Sequence, residues 1–367
     1  MKVICDKQSL STAITSVSLA VSSKSSLPAL EGILFAAKEG RLFLTGYDLE
    51  LGIATSIEAR VQEEGEVVLS AKLLADIVRR MPAEEISISC NQRMMTELKS
   101  GVAQYSILGQ PAAEFPELPA LTDTSTLSLP QSTLASMIGQ THFAIAVSDS
   151  KPVHTGSLFE LDGEHLTIVS VDGYRLAMRR EPMKYEGKLS FIVPGKTLSD
   201  LLRLLEDDDT PVALQVSKKH ILFGVGHYTV VSRLLEGEFL NYRAAIPTAA
   251  QTTVTVQTRE LMDSIDRTSL LIQDRLKSPL RVRFGRELIQ ISCSTAMGSA
   301  YDEVGSTIQG PEVEVGFNNR FLIDALRATG CDMVVLELSG PTSPMKVLPP
   351  QGEDFLFLVL PVRLKND

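Results

Sequence analysis

Apolar residues fall on one side of a helix at three places in this chain. Over 70–81, Leu74, Ile77, Val78 and Met81 return with the spacing of a helical face. Over 194–205, Leu198, Leu201, Leu202 and Leu205 do the same, and over 318–328 Leu322, Ala325 and Leu326 follow. The other side is equally regular. Lys72, Leu74, Asp76 and Arg79 recur as Lys196, Leu198, Asp200 and Arg203, and again as Arg320, Leu322, Asp324 and Arg327. From 72 to 196 and from 196 to 320 the step is 124 residues with no gap, so the chain reads as three copies of one domain. At about 100° per residue, positions 72, 76 and 79 lie within about 60° of one another. Each helix therefore buries one face and presents cations on the other.

Each copy also predicts an earlier helix, opened at Gln8, Gln131 and Thr258 and marked by Leu10, Leu134 and Leu261, with Ser9 and Ser132 as N-caps. Between the two helices the pattern shortens to strands: Leu42-Phe43-Leu44, Leu166-Thr167-Ile168-Val169 and Leu288-Ile289-Gln290-Ile291, with turn signals such as Asp162-Gly163. Further strands follow the second helix at Ile86–Ser89, Val212–Val216 and Val334–Leu338, and Glu114-Phe115 returns 124 residues on as Glu238-Phe239. The expectation is an α+β fold with two helices, about eight strands and antiparallel sheets in each of three tandem copies. Joints rich in Thr, Ser, Ala or Gln at Thr122–Ser128 and Pro247–Thr252 give domains at 1–122, 127–247 and 250–367.

Charge changes this picture in one respect. The net charge of −10 argues against general affinity for nucleic acid. Yet Ser70–Met81 sets Lys72, Arg79 and Arg80 against Asp76 alone, and the two later helices each set two cations against one aspartate. Acidic residues crowd elsewhere, as in Glu63–Glu66 and Glu206–Asp209. A solvated helix face carries such charges too. Three helices in one phase point instead to a basic surface shielded by an acidic body. A scaffold that binds only proteins would select no such cations.

The chemistry of bond making is absent from the pattern. Val193-Pro194-Gly195-Lys196-Thr197 looks like the end of a phosphate loop, but the earlier glycine is replaced by Ser190. Gly224-Val225-Gly226 lacks the rest of a dinucleotide fingerprint. The five histidines show no metal-ligand spacing, and no GxSxG elbow occurs, so no metal, cofactor or catalytic residue is expected. Cys5, Cys90, Cys293 and Cys331 form no CxxC pair and are expected to be buried free thiols of a reducing compartment. With 44% apolar residues and a mean hydropathy of +0.10 the chain builds cores. Its longest apolar run, Phe355 to Val362, is strand-sized, and no apolar leader follows Met1-Lys2. A cytoplasmic protein with no membrane segment is expected.

Five segments lie in order on this repeat: Ser26-Leu27-Pro28-Ala29-Leu30, Leu44-Thr45-Gly46-Tyr47-Asp48-Leu49-Glu50, Val171-Asp172-Gly173-Tyr174-Arg175-Leu176-Ala177, Phe191-Ile192-Val193-Pro194 and Leu360-Pro361-Val362-Arg363-Leu364. Together they resemble the bacterial DNA polymerase III beta subunit family, the sliding clamps, over the whole chain. The resemblance implies a homodimer closing as a six-domain ring (the DNA clamp fold) around duplex DNA. It implies a non-catalytic processivity factor, associated with the nucleoid. DNA contacts would come from Lys24, Lys72, Arg79, Arg80, Lys196, Arg203, Arg320 and Arg327, and the dimer contact from Leu271 and Ile272. A groove between the second and third domains would take short apolar motifs. Its clients would be the replicative DNA polymerase alpha-type subunit, the clamp loader, translesion polymerases and mismatch-repair proteins. Its walls would be His154, Val171, Gly173, Tyr174, Arg175, Leu176, Leu240, Ala244 and Ala245, with Leu358, Leu360, Pro361, Val362, Arg363 and Leu364. Ala244, Ala245 and His154 depart from the residues usual at those positions in the family, and so bear on peptide preference.

Overall fold

The computed structural model describes residues 1–147, 151–272 and 278–364. Strand, helix and three strands follow one another six times among them, twice per copy of the sequence repeat. The second helix of each copy is thus the counterpart of the first. The six helices are α1 (Lys7–Val17), α2 (Ala71–Arg80), α3 (Gln131–Thr141), α4 (Gly195–Leu201), α5 (Thr258–Thr268) and α6 (Asn319–Thr329). Every expected strand forms, in an antiparallel α+β arrangement.

Local chemistry sets the helix ends, and here several expectations need correcting. Asp6, not Ser9, caps α1: its Oδ1 accepts the Ser9 N–H at 2.7 Å. Ser132 lies inside α3, where its N–H donates to the Asp208 carbonyl at 2.9 Å. In α6, Asn318 Oδ1 accepts from Arg320 N at 3.0 Å, and Gly330 ends the helix at φ +64°. α4 stops at Leu201, short of the expected 205. Beyond it the Arg203 N–H donates to Asp200 O at 3.2 Å and Leu204 N–H to Leu201 O at 2.9 Å. A turn of three residues shifts the phase, so Leu204 is buried while Leu202 and Leu205 are half-buried. The apolar faces of α2 and α6 are buried as expected.

The chain forms two compact units, Met1–Ala135 with Ser199–Leu234 and Ser136–Leu198 with Leu235–Asp367. Each contains one twelve-stranded sheet. In the first, the long strand Leu51–Glu63 pairs with Lys2–Asp6 and Arg41–Tyr47 of its own copy and also with Tyr228–Arg233 of the middle copy. In the second, Arg175–Pro182 of the middle copy pairs with Phe355–Val359 of the third. The middle copy is therefore shared between units, and the expected joint at Thr122–Ser128 is shortened because Ser125–Pro130 is already a strand.

The seam of the second unit is apolar. Phe357 is fully buried, stacked on Phe355 at 4.7 Å and edge-on to Phe143 at 5.3 Å. All four cysteines are free, but only Cys5 and Cys293 are buried, while Cys90 and Cys331 are half-buried. Because the Phe357 ring fills the seam between two copies, Phe357→Ala should destabilise the protein by about 3–5 kcal/mol. Chemical denaturation measures this, and a loss below about 1 kcal/mol would mean the seam repacks freely.

Candidate nucleic-acid interface and partner groove

Each second helix fills its buried face with Leu, Ile, Val or Ala, which leaves the cations nowhere to go but outward. Lys72, Arg79 and Arg80 on α2, Lys196 on α4, Arg203 just beyond it, and Arg320 and Arg327 on α6 are all exposed. So is Lys24, in the loop after α1. The three repeated aspartates behave differently. Asp76 pairs with Arg79 at 2.6 Å and Arg80 at 2.8 Å on its own helix, and the Arg80 hydrogen bond holds its carboxyl below the ordinary value. Asp200 lies 4.0 Å from Arg203. Asp324 reaches off its helix to Arg175 Nη1 at 2.5 Å.

The residues assigned to the groove separate into two layers within the second unit. Val171, Leu176 and Leu358 are buried, in one apolar cluster with Val153, Val169, Ile192 and Tyr242. His154 is buried too, edge-on to Phe239 at 5.6 Å. These side chains are walls from behind. Tyr174 is 64% exposed, Leu240, Val362, Ala244, Ala245 and Arg363 are exposed, and Leu360, Pro361 and Leu364 are half-buried. Gly173, at φ +87°, makes the turn before Tyr174, and Asp172 Oδ1 accepts the N–H groups of Tyr174 at 2.9 Å and Arg175 at 3.0 Å. The Tyr242 hydroxyl donates to Glu160 at 2.6 Å, and burial and then that bond push the phenol's pKa up. This contact pins the segment that carries Ala244 and Ala245.

A groove of about 390 Å³ opens beside Tyr174. Ile272, Phe317, Asn319, Phe321 and Val362 line it, with Arg320 at its rim. Phe317, Asn319 and Phe321 were not among the expected walls. A signal for Phe321 did exist: at the same place in the repeat the other copies have Leu73 and Thr197. Ile272, assigned to the dimer contact, faces this groove, and Leu271 is half-buried. The neighbouring Leu270 is 83% exposed.

Models of three protein families match nearly the whole chain. They describe the N-terminal, central and C-terminal domains of the DNA polymerase III beta subunit, over residues 1–119, 128–241 and 243–363. The chain belongs to the DNA polymerase III beta subunit family. A beta sliding clamp of Halalkalibacterium halodurans is 30% identical over 99% of this chain and 100% of its own length. The DNA polymerase sliding clamp of Bacillus subtilis superposes with a TM-score of 0.96 at 27% identity, covering all of both chains. The beta subunit of Thermotoga maritima superposes at 0.92 and 26%, over 99% of this chain and all of its own. Among the described residues no cluster of His, Cys, Asp or Glu could hold a metal, and no helix is long and apolar enough to cross a membrane.

Within this family member residues 360–364 form a strap beside the groove, with Val362 in its lining. The Leu360 N–H donates to the Tyr174 carbonyl at 2.9 Å, and the Val362 N–H to the Gly316 carbonyl at 2.7 Å. The strap passes so close that a Cβ on Gly316 would stand 2.4 Å from the Val362 oxygen. Gly316→Val should therefore lift residues 361–364 while the sheet stays folded. Hydrogen exchange at the Val362 amide checks this. Protection equal to the parent's would show that the strap does not depend on that glycine.

Proposed function

We propose that two copies of this chain close head to tail into a ring of six domains around duplex DNA. The ring slides without sequence preference and keeps the replicative polymerase on its template as a non-catalytic processivity subunit. The observation that carries this reading is the phase of the exposed cations. They recur on α2, α4 and α6 of a protein whose net charge is −10. Guanidinium and ammonium groups on a helix face contact phosphates, which position a duplex but carry no base code. Retention by topology lets each contact stay weak. The domains are taken as 1–122, 127–247 and 250–367, beside family-model spans of 1–119, 128–241 and 243–363; residues 365–367 lie outside the described ones.

Clients would dock by short apolar motifs in the Tyr174 groove, whose Phe317, Phe321 and Val362 are apolar and whose Asn319 can fix orientation. Polymerase alpha-type subunits, the clamp loader, translesion polymerases and mismatch-repair proteins are the clients this family implies. The place of work is the cytoplasm, at the nucleoid.

The repeat also supplies a register for closure. At both seams the last strand of one copy adds to the strand that follows a hairpin in the copy before it. Gly52 pairs with Val231 and Leu176 with Leu358 there. In the third copy Ser299 holds the place of Gly52 and Leu176: it stands eight residues before Thr307, the partner of Thr255, as Gly52 stands eight before Arg60, the partner of Ile4. In the first copy Ser106 holds the place of Val231, two residues before the end of its hairpin strand. The free edge Ala103–Leu108 of one protomer would thus add to the start of Gly298–Gln309 of its partner, with Ser106 opposite Ser299. Tyr105, Leu108 and Met297, 41%, 71% and 64% exposed in the single chain, would be covered.

Two outcomes test this. The double variant Tyr105→Asp and Leu108→Asp should sediment as a folded monomer where the parent is a dimer; a dimer of unchanged strength would refute the register. Glu at Lys72, Arg79, Lys196, Arg203, Arg320 and Arg327 should leave the dimer intact and abolish salt-sensitive retention on nicked circular DNA. Retention like the parent's would remove these faces from the channel.

A further inference from the structure

Arg175 was expected to be a wall of the groove, but its side chain is only 12% exposed. It sits beneath the groove floor with four partners. Nε donates to Asp172 Oδ2 at 2.9 Å, in the hairpin that carries Tyr174. Nη1 donates to Asp324 Oδ2 at 2.5 Å, on α6. Its guanidinium lies 4.6 Å from the Phe321 ring centre and 5.4 Å from that of Phe143. Phe321 in turn stacks under Tyr174 at 5.9 Å and 27°. Asp172 and Tyr174 belong to the middle copy of the repeat, Phe321 and Asp324 to the third. One planar cation therefore ties the two halves of the groove floor from below.

We propose that Arg175 and Asp324 are positioning residues for the client groove. They do not touch the client. They set the spacing between the Tyr174 and Phe321 rings on which it rests. This inference rests on the groove reading given above and adds the residues that keep the groove open to one shape. The chemistry favours a guanidinium over an ammonium here. Only a fork can satisfy two carboxylates while its flat faces meet two rings. The exception among the repeated aspartates also finds its reason. Asp76 serves arginines of its own helix, whereas Asp324 serves the groove. Among the described residues Arg327 is consequently left without the intrahelical carboxylate that holds Arg79.

The test is binding of a fluorescein-labelled peptide of the Gln-Leu-x-Leu-Phe type, read by anisotropy on the full-length dimer. Asp324→Asn should weaken binding about tenfold, the usual size of coupling between groups in contact. Arg175→Lys should restore no more than part of what Arg175→Gln loses. In a Phe321→Ala background Asp324→Asn should add nothing further, because the ring it positions is gone. A merely structural pair would lower the melting temperature but leave the folded protein's affinity unchanged by Asp324→Asn in either background. Val362→Asp is the control for the groove itself. If it abolishes binding while Asp324→Asn stays within twofold of the parent, the positioning role is wrong and the groove stands. If neither changes binding, the groove reading falls first.

Discussion

The seam strands carry backbone hydrogen bonds from one copy of the repeat into the next. A β-sheet edge presents unpaired donors and acceptors that must be covered. Tyr228–Arg233 covers Leu51–Glu63, and Phe355–Val359 covers Arg175–Pro182. Because the ladder does not stop where a copy ends, the hairpin Asp172–Arg175 and the C-terminal strand are held at a fixed register. The Tyr174 carbonyl can then receive the Leu360 N–H. The groove is a by-product of that join. So are the edges left free at Ala103–Leu108 and beside the first residues of Gly298–Gln309, whose later residues Ser306–Gln309 pair with Thr253–Val256.

Charge is laid over this frame economically. The helices pack by their aliphatic faces alone, so the opposite faces are open to whatever function selects. An exposed arginine beside its own aspartate contributes little to stability. Arg79 and Arg80 can therefore exchange Asp76 for a phosphate at small cost. Asp324 is committed differently, because its partner Arg175 is nearly buried, and an unpaired buried guanidinium is expensive. One position of the repeat thus serves solvent chemistry in the first copy and internal geometry in the third.

Much of this was legible in the sequence. The helices α2 and α6 announced themselves because their buried faces keep a strict period and their polar faces keep the same charges at the same places. The strands could be read from alternation, since each sheet buries one side. The end of α4 was not legible: whether Leu202 or Leu204 turns inward is decided by a tightened last turn, not by composition. The halving of the repeat was hidden for another reason. The α1 and α2 sequences share no polar marks, though the order of elements around them is the same. In the groove, the resemblance supplied a set of residues without their depth. Leu176 and Leu358 sit behind the surface, and Phe321 lies in it.

The two units interleave along the chain, and this has a consequence for synthesis. The first needs residues up to Leu234 before its sheet is whole, yet Ser136–Leu198 emerges earlier and belongs to the second. On the ribosome those residues must wait, with the strands Gly156–Leu161 to Leu189–Pro194 paired among themselves, for a closing strand at 355–359. Long-range closure of this kind is slow, and it exposes strand edges meanwhile. Nascent chains stalled between residues 234 and 355 would thus carry one finished sheet and one open one. The vulnerable interval for aggregation or proteolysis would be the last third of translation rather than the first.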